Sequence, residues 1–370
     1  MQIEIYNMTV LNDKLNISLE AVCDSFSSLL WNIEYYKCGA FEVYIATSLR
    51  NIEIFQTGRI VGRDDDKEHF GLIESVELET DSEDGDYLII KGRFLMCLLE
   101  RRIIYPTLNF TTMTTYGMII QKAVENNALV SGNRLIPNLK LGEMQGACWS
   151  QTTKLQVSYE NLMEWIYTIC EKIGGTANIR LSKIAEEQYE MIFDLLQGAD
   201  KSMMQEENPH IVFSDSYNNL LSFTYFTDTS VKKNYAYVLG KGEGEKRKRT
   251  TYFEDSEPSS LDRYEVYVDA KDISDEEQKN GETKPLPDAE YSELLKEKGK
   301  QNLVPTKTKS ESQIAVQSTQ FQYGVDYFVG DFVTVEHHRF GIRQNKIQLV
   351  GMIESFDRNG RNLTPTFKEE

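Results

Sequence analysis

Apolar and polar residues alternate along much of the first hundred positions of the chain. In residues 15–20 and again in residues 41–45, every second side chain is apolar. Successive side chains of a strand point to opposite faces, so this alternation predicts antiparallel strands with one buried face. Residues 74–79 and 87–91 are also strand-like, and the Asp-Gly step at Gly85 supplies the positive φ that a tight hairpin between them requires.

Helical spacing appears after this first group of strands. Residues 93–102 group apolar side chains as a helix does, and Pro106 stops that segment. Thr114 or Thr115 is suited to capping a second helix that continues to about residue 126. We therefore expect a domain boundary near residue 93.

The strongest helical pattern lies in the middle of the chain. Ser158 is a candidate N-cap, and Gly174-Gly175 predicts the end of the helix. The apolar side chains at helical spacing between these positions are Leu162, Trp165, Ile166, Ile169 and Ile173. Residues 177–181 and 188–195 then resemble a hairpin that covers the helix, which predicts a small α+β unit.

Strand patterns return from residue 211 onward. Residues 221–226, 235–239, 250–253 and 264–268 are rich in aromatic and β-branched side chains, as the strands of a second sheet or barrel would be. The pattern continues in three later segments, residues 320–323, 332–336 and 345–356. In the last of these, the residues expected on one face are Ile347, Leu349, Gly351 and Ile353.

The stretch between these two groups of strands differs in composition. Residues 269–287 are acidic, poor in large apolar side chains and interrupted by Pro285 and Pro287, which predicts a solvated linker. Asp288 is suited to capping a short amphipathic helix that ends at Gly299. The residues expected on its inward face are Tyr291, Leu294 and Leu295.

These segments predict a division of the chain into four parts. They are a first β domain (residues 1–92), an α+β domain (93–204), a second β domain (205–268 and 306–370), and an acidic linker with a short helical insertion (269–305). The predicted fold class is a β-rich α+β protein.

The net charge of the chain excludes some classes of function. The chain of 370 residues carries 58 acidic and 40 basic side chains, a formal net charge of −18. Phosphate backbones and anionic lipids both attract positive surfaces, so we expect no stable nucleic-acid binding. The first residues show no secretory signal, and the longest apolar run, residues 94–99, is far shorter than the ~20 residues that a membrane-spanning helix requires. We expect a protein made in the cytoplasm and not inserted into a membrane.

The cysteines do not indicate a disulfide framework or a zinc site. There are five of them, an odd number, and none has CxxC spacing. They are Cys23, Cys38, Cys97, Cys148 and Cys170. We expect buried, reduced thiols that act as small hydrophobic side chains.

Candidate catalytic and metal-binding patterns are few. None of the four histidines has HExxH spacing, and His337 and His338 are adjacent in a strand, so their side chains point to opposite faces. The acidic run of residues 64–66, beside His69, lacks the calcium-loop pattern and is expected to be a solvated loop. We predict no catalytic residue, cofactor or metal.

Two alternative functions stay open at this point. Acidic residues are numerous enough that some pair could serve glycoside hydrolysis on a β-rich scaffold. A carbohydrate-binding host-attachment module is the other alternative, supported by 20 tyrosines and by Trp31 and Trp149, whereas Trp165 is expected in the helix core.

One basic cluster contrasts with the acidic chain. Residues 240–244, Gly-Lys-Gly-Glu-Gly, lack the Walker spacing and lie between two strands, which predicts a hairpin tip instead of a phosphate loop. The basic residues that follow are Lys246, Arg247, Lys248 and Arg249. They are either the base of this hairpin or a contact to an acidic neighbour such as another copy of the chain.

Three segments together resemble the tail hub proteins of long-tailed bacteriophages and prophages, which correspond to the N-terminal region of tail-associated lysins. The first is residues 89–102, with Gly92, Arg93 and Arg102. The second is residues 263–269, with Tyr264, followed by the acidic insertion and the helix to residue 299. The third is residues 322–335, in which Asp326 precedes Gly330-Asp331, the step expected to turn the chain into a barrel strand.

The resemblance implies two tube-like antiparallel β-barrel domains with intervening small α+β domains, assembled as a trimer in the virion tail. The two barrels of each subunit would form a pseudo-sixfold ring below a hexameric tail tube. Implied partners are other copies of the chain, the tail tube, the distal tail protein, and a tail fibre or lysin. The chain ends at Glu370, soon after the last predicted strand. We therefore expect hydrolase and receptor-binding activities on other polypeptides and a non-catalytic role for this chain.

Overall fold

The computed structural model describes residues 1–11, 14–81, 85–186, 188–228, 230–279, 282–303, 309–316 and 320–369. Its N-terminal part is almost entirely strand. The elements are β1 (Ile3–Leu11), β2 (Lys14–Cys23), β3 (Ser28–Glu34), β4 (Ala40–Ala46), α1 (Leu49–Ile54), β5 (Ile60–Arg63), β6 (Asp66–Asp81) and β7 (Gly85–Phe94). The predicted hairpin at Gly85 is confirmed, because β6 and β7 pair antiparallel and Gly85 has a φ of +92°.

Helices appear in the next part, as the sequence predicts. The elements are α2 (Cys97–Glu100), β8 (Leu108–Thr115), α3 (Tyr116–Ala128), β9 (Leu139–Met144), β10 (Thr152–Val157), α4 (Leu162–Ile173), β11 (Thr176–Ala185) and β12 (Gln188–Leu196). Thr115 caps α3, and β11 and β12 form the expected hairpin. The helix expected over residues 93–102 is shorter, because β7 continues to Phe94 and leaves a single turn for α2.

The cap of α4 differs from the prediction. Asn161, not Ser158, is the N-cap residue, and its side chain accepts hydrogen bonds from the backbone N–H groups of Met163 and Glu164. Tyr159 adopts a φ of +58°, so the chain turns after Ser158 before the helix begins. Gly174 ends α4 with a φ of +77°, as expected.

The C-terminal part returns to strands. The elements are β13 (Val212–Ser214), β14 (Leu220–Asp228), β15 (Tyr235–Leu239), β16 (Arg249–Tyr252), β17 (Glu265–Asp269), β18 (Glu276–Lys279), β19 (Glu282–Pro285), α5 (Asp288–Leu303), β20 (Lys309–Val316), β21 (Phe332–His337), β22 (Ile342–Asp357) and β23 (Gly360–Glu369). The strand expected over residues 320–323 is a loop with one isolated bridge between Tyr323 and Tyr327.

The acidic stretch of residues 269–287 is not a solvated linker throughout. Its strands β18 and β19 pair with each other, and Ala270, Ile273 and Leu286 are buried. They join a small core formed where α5 packs on the sheet of β15, β16 and β17. The composition of the stretch did not indicate these residues because they are few. They are nevertheless enough to pack the stretch against this core.

Helix α5 is longer than expected. Tyr291, Leu294 and Leu295 are buried, as predicted, but the helix continues through Gly299 to Leu303. A Cβ atom at Gly299 would lie 2.7 Å from Cγ2 of Val238. The glycine therefore permits close packing of the helix on β15 and does not end it.

Strand β22 does not keep one apolar face along its length. Ile347 and Leu349 are buried, but a register shift against β23 occurs between Leu349 and Gly351. After this irregularity Met352 and Glu354 are buried, while the predicted Ile353 is only half-buried. One extra residue in the ladder reverses the faces of every side chain that follows it.

Sixteen strands of the described chain form one sheet. Its order is β11-β12-β2-β1-β5-β6-β7-β4-β3-β22-β23-β20-β14, with β9, β13 and β21 paired off this path. We call β1 to β7 the N-terminal β unit, and β13, β14 and β20 to β23 the C-terminal β unit. Each unit has its own hydrophobic cluster, and the α+β part between them has a third. The β-rich fold class is confirmed, and the division at residue 92 stays a prediction.

No helix in the described ranges has the length and apolarity needed to cross a membrane. The five thiols are free: four are buried, and Cys38 is half-buried.

Candidate assembly site: the junction of the two β units

Strands β3 and β22 join the two β units edge to edge. They pair antiparallel over six residue pairs, from Glu34 opposite Gly351 to Leu29 opposite Phe356. Because the ladder is continuous, a displacement of one unit relative to the other would break backbone hydrogen bonds. The two units are thus held together as parts of one continuous sheet.

A buried ion network reinforces this junction. Arg63 of β5 is 1% exposed and makes a bidentate contact with Asp65, through Nε at 2.9 Å and NH2 at 3.0 Å. Its NH1 lies 3.2 Å from Oε1 of Glu354 in β22, and Nε of Arg361 donates to Oε2 of the same carboxylate at 2.9 Å. Burial alone would lower the pKa of Arg63, but Asp65 and Glu354 outweigh it and raise that pKa. Arg63 therefore stays protonated and carries its positive charge at the junction.

Aromatic rings complete the network. The guanidinium carbon of Arg63 lies 4.7 Å from the ring centroid of Phe356 and 5.6 Å from that of Trp31. Each distance is within the range of a cation–π contact. Arg63 is thus held by carboxylates and rings from both units.

Asp64 and Asp65 of the acidic run lie in an exposed turn, as expected, whereas Asp66 is half-buried and belongs to the junction. Asp66 accepts a hydrogen bond from Nε1 of Trp31 at 3.0 Å and lies 2.9 Å from Nδ1 of His69. Burial would raise the pKa of Asp66, but His69 and the backbone N–H of Glu68 hold it well below its usual range. Burial would lower the pKa of His69, but Asp66 raises it. The pair therefore favours a protonated imidazole against a carboxylate.

The Gly330-Asp331 step lies at the entrance to the C-terminal unit, immediately before β21. Asp331 is 4% exposed and accepts hydrogen bonds from the backbone N–H groups of Ala199 at 2.7 Å and Phe328 at 3.0 Å. Its carboxylate also lies 2.8 Å from Nζ of Lys201. Asp331 therefore ties the turn before β21 to the segment that leaves the α+β part.

Gly330 allows this turn to form. It has a φ of +104°, and a Cβ atom there would lie 2.3 Å from Cε2 of the buried Tyr35. The hydroxyl of Tyr35 accepts a hydrogen bond from the backbone N–H of Gly198 at 2.9 Å. The turn, β3 and the α+β part thus meet at one ring.

The other residues of the family-like motif have structural positions as well. A Cβ atom at Gly92 would lie 1.9 Å from the carbonyl oxygen of Leu72, and Arg93 pairs with Glu74 and Glu100. Nε of Arg102 donates to the carbonyl of Arg134. The remaining two lie in turns: Asp326 accepts from the backbone N–H of Gln322, and the backbone N–H of Tyr264 donates to Asn234. Their assignment as family motif residues stays a prediction.

The basic cluster of residues 246–249 lies on the hairpin of β15 and β16, as expected. Arg247 forms an ion pair with Asp269 and donates to the carbonyls of Gly240 and Leu239. Lys248 pairs with Asp288 of α5. Two of the four cations are therefore engaged within the chain, while Lys246 and Arg249 are exposed. A subunit contact through this hairpin stays a prediction.

The alternative functions receive no support from the geometry. Trp31 and Trp149 are 0% and 1% exposed, so neither ring can stack on a sugar. A cleft of about 560 Å³ lies beside the Asp331 turn, and its buried carboxylates Asp194 and Asp331 are paired with Arg180 and Lys201. Among the described residues, no three His, Cys, Asp or Glu side chains are grouped as metal ligands would be.

Sequence reasoning missed the residues that fasten the junction. Arg63 could have been noticed as a cation in a strand directly before three aspartates. Nothing in the local sequence identifies Glu354 as its partner, because the two residues are 291 positions apart.

Solved structures of known proteins share the overall fold of this chain. A tail protein from Neisseria meningitidis MC58 is similar in structure, with a TM-score of 0.58 at 15% identity over 100% of this chain and 96% of that one. The prophage MuSo2 43 kDa tail protein from Shewanella oneidensis gives 0.57 at 10% identity over 99% and 98%. Prophage tail protein gp18 from Listeria monocytogenes EGD-e gives 0.54 at 10% identity over 100% and 95%. At such identities the likeness shows a common fold: that of phage and prophage tail proteins.

A family model gives the assignment. Residues 3–367 match the family of Siphovirus ReqiPepy6 Gp37-like proteins, and the chain belongs to this family. No curated protein sequence matches the chain significantly.

Proposed function

We propose that the chain is a non-catalytic structural protein that forms the hub closing the tail tube and linking it to the tail tip. The observation that supports this most is the extent of the likeness. Both the family match and the shared tail-protein fold cover the chain almost from end to end.

The proposed hub is a ring of three copies around a channel. Strand β14 pairs with β20 on one side, and the described part of the chain gives its other edge no strand partner. An open strand edge favours pairing with a neighbouring chain. The rigid junction of β3 and β22 would keep the two β units of each copy in a fixed relation within such a ring.

Charge fits passage of DNA through this ring. With a net charge of −18, the protein repels phosphates, so DNA would pass without adhering. In this proposal the copies are made in the host cytoplasm and assemble in the virion tail with the tail tube, the distal tail protein, and a fibre or lysin.

Inactivating the gene in its phage or prophage tests the proposal. We expect heads without complete tails, with tails restored by the gene supplied in trans. Complete tails that adsorb to the host but fail to penetrate its wall would instead favour an enzymatic role. A peptidoglycan-release assay on the purified chain, expected to show no turnover, completes the test.

A further inference from the structure

Three arginines from two separate segments lie together beside exposed apolar side chains. We call this set the arginine patch: Arg101, Arg102, Ile103, Tyr105, Arg134 and Tyr159. Ile103, Tyr105 and Tyr159 are 52%, 56% and 69% exposed, and the two tyrosine rings are 6.1 Å apart. Aromatic and arginine side chains together are typical of protein interfaces.

The positive charge of the patch is only partly offset within the chain: Arg93, and to a smaller extent Arg101, lower the pKa of Glu100. The adjacent carboxylates are turned to other cations, because Glu100 pairs with Arg93 and Glu160 with Lys298. Partial burial lowers the pKa of Arg102, and the charges of Arg134 and Arg101 lower it further. Across the described residues, the three guanidinium groups form no ion pair with a carboxylate. An acidic partner would therefore relieve repulsion that the isolated chain retains.

Two of the three guanidinium groups, those of Arg102 and Arg134, are held in place before any partner arrives. Arg102 donates through Nε to the carbonyl of Arg134 at 2.9 Å, and Arg134 donates through NH1 to the carbonyl of Tyr105 at 2.6 Å. A guanidinium has five N–H donors, so each keeps free donors for carboxylate oxygens. Pre-ordering lowers the entropy cost of binding.

A complementary surface exists on the same chain. The end of the β6–β7 hairpin, which we call the acidic hairpin, exposes Glu77 and Glu79 on one face of the hairpin, whereas the exposed Leu78 and Asp86 belong to its opposite face. The carboxylates of Glu77 and Glu79 match the guanidinium groups of the arginine patch in charge. Free DNA is a poorer match, because the net charge of −18 opposes its approach.

The two surfaces cannot meet within one subunit. The acidic hairpin is at the start of β7, whereas the patch begins just beyond the end of that strand. Glu79 lies opposite Tyr87 and Glu77 opposite Ile89, so at ~3.3 Å per residue they are about 23 Å and about 17 Å from the end of β7 at Phe94, beyond the reach of a direct ion pair. A contact between the surfaces must therefore join different copies.

We propose that the arginine patch of one copy binds the acidic hairpin of the next copy, head to tail. Such a contact uses two different surfaces, so it forms a ring if the rotation closes. The inference deepens the proposed hub and rests on it only for the closure into a ring. It assigns the self-association to residues outside the basic cluster of residues 246–249.

Zero-length cross-linking of the full chain tests this contact. Arg101→Lys keeps the positive charge and introduces an amine that a carbodiimide joins to a carboxylate in direct contact. In an equal mixture of ¹⁴N- and ¹⁵N-labelled protein, we expect mixed-isotope peptides joining position 101 to Glu77 or Glu79. Protein that remains monomeric at tens of micromolar, or oligomers with cross-links only elsewhere, would overturn the inference.

Charge reversal supplies an independent test by sedimentation velocity. Arg101→Glu should weaken self-association roughly tenfold. Lys183→Glu, at an exposed site with the same change in net charge, should leave it unchanged. Adding Glu79→Arg alone to Arg101→Glu exchanges one ion pair and leaves Glu77 for Arg102 and Arg134, so it should restore association. Equal weakening by both single variants, or no rescue, would rule the contact out. Loss of tails on gene inactivation, measured separately, would still support the hub.

Discussion

Gly330 shows how one residue fixes the turn into the C-terminal β unit. Its φ of +104° excludes most side chains, and the ring of Tyr35 occupies the space where a Cβ atom would lie. Gly324 also has a positive φ, +85°, but nothing lies within 4 Å of its Cβ position. A substitution at Gly324 therefore causes backbone strain alone, whereas one at Gly330 causes backbone strain and a steric clash.

Gly330→Ala should lower the free energy of unfolding more than Gly324→Ala. Both substitutions pay ~1–2 kcal/mol for the positive φ, and Gly330→Ala adds ~1–3 kcal/mol for displacing a buried ring. Urea denaturation followed by intrinsic fluorescence measures the difference. Equal losses in the two variants would show that Tyr35 does not pack against the turn as described.

His69 and Asp66 make stability depend on pH in a definite direction. The raised pKa of His69 stabilises the fold fully below its unfolded value of about 6.5, and this contribution is lost as the pH rises through the folded pKa. The lowered pKa of Asp66 acts oppositely: its contribution is present above about 3.9 and is lost as the pH falls.

The pair should therefore stabilise most between these limits. His69→Gln should destabilise the protein clearly at pH 5.5, and the loss should shrink as the pH rises through the raised pKa of His69, where the wild-type imidazole gives up its proton. Thermal melts across this range measure the change. A constant difference between wild type and variant at all pH values would contradict the ion pair.

At the scale of elements, the sequence pattern predicted the features that depend on neighbouring residues. It missed the features that depend on contacts with distant segments. Thr115 caps α3, and Gly174 ends α4, because capping depends on neighbouring backbone groups. The predicted N-cap of α4, Ser158, was wrong, because the helix is capped three residues later by Asn161. Asn161 is held by an isolated bridge to Ile103, which lies in a distant segment. The face change in β22 was likewise invisible, because an irregularity depends on the partner strand.

The same limit applies to the candidate site. The family-like segments were recognisable because glycine, charge and strand pattern occur together over a few residues. The network of Arg63 and Glu354 and the arginine patch are assembled from remote positions. Local charge drew attention instead to residues 246–249, where Arg247 and Lys248 are paired within the chain.

The junction of the β units should be sensitive to Glu354. Glu354→Gln removes the carboxylate that faces Arg63 and Arg361, and a buried cation that loses a partner costs ~3 kcal/mol. Glu42→Gln, which breaks the exposed pair with Lys91, should cost less than ~1 kcal/mol. Chemical denaturation compares the two, and equal small losses would mean that the network does not fasten the junction.

At the scale of the whole molecule, the structure shows where the acidic side chains lie that argued against nucleic-acid binding. Asp65 and Asp66 are used internally at the junction, whereas Glu77, Glu79 and Asp86 remain at the surface of a projecting hairpin. Composition gives the sum of these charges but not their positions. Only the fold shows which carboxylates stabilise the chain and which are exposed, where they can repel DNA or contact a neighbouring copy.

Electron cryo-microscopy of intact virion tails tests the central claim most directly. The account predicts density for this chain as a ring directly at the distal end of the tail tube, with the two β units of each copy lining a continuous channel. Its absence from purified virions, or its location in the head, the neck or a peripheral fibre, would contradict the account.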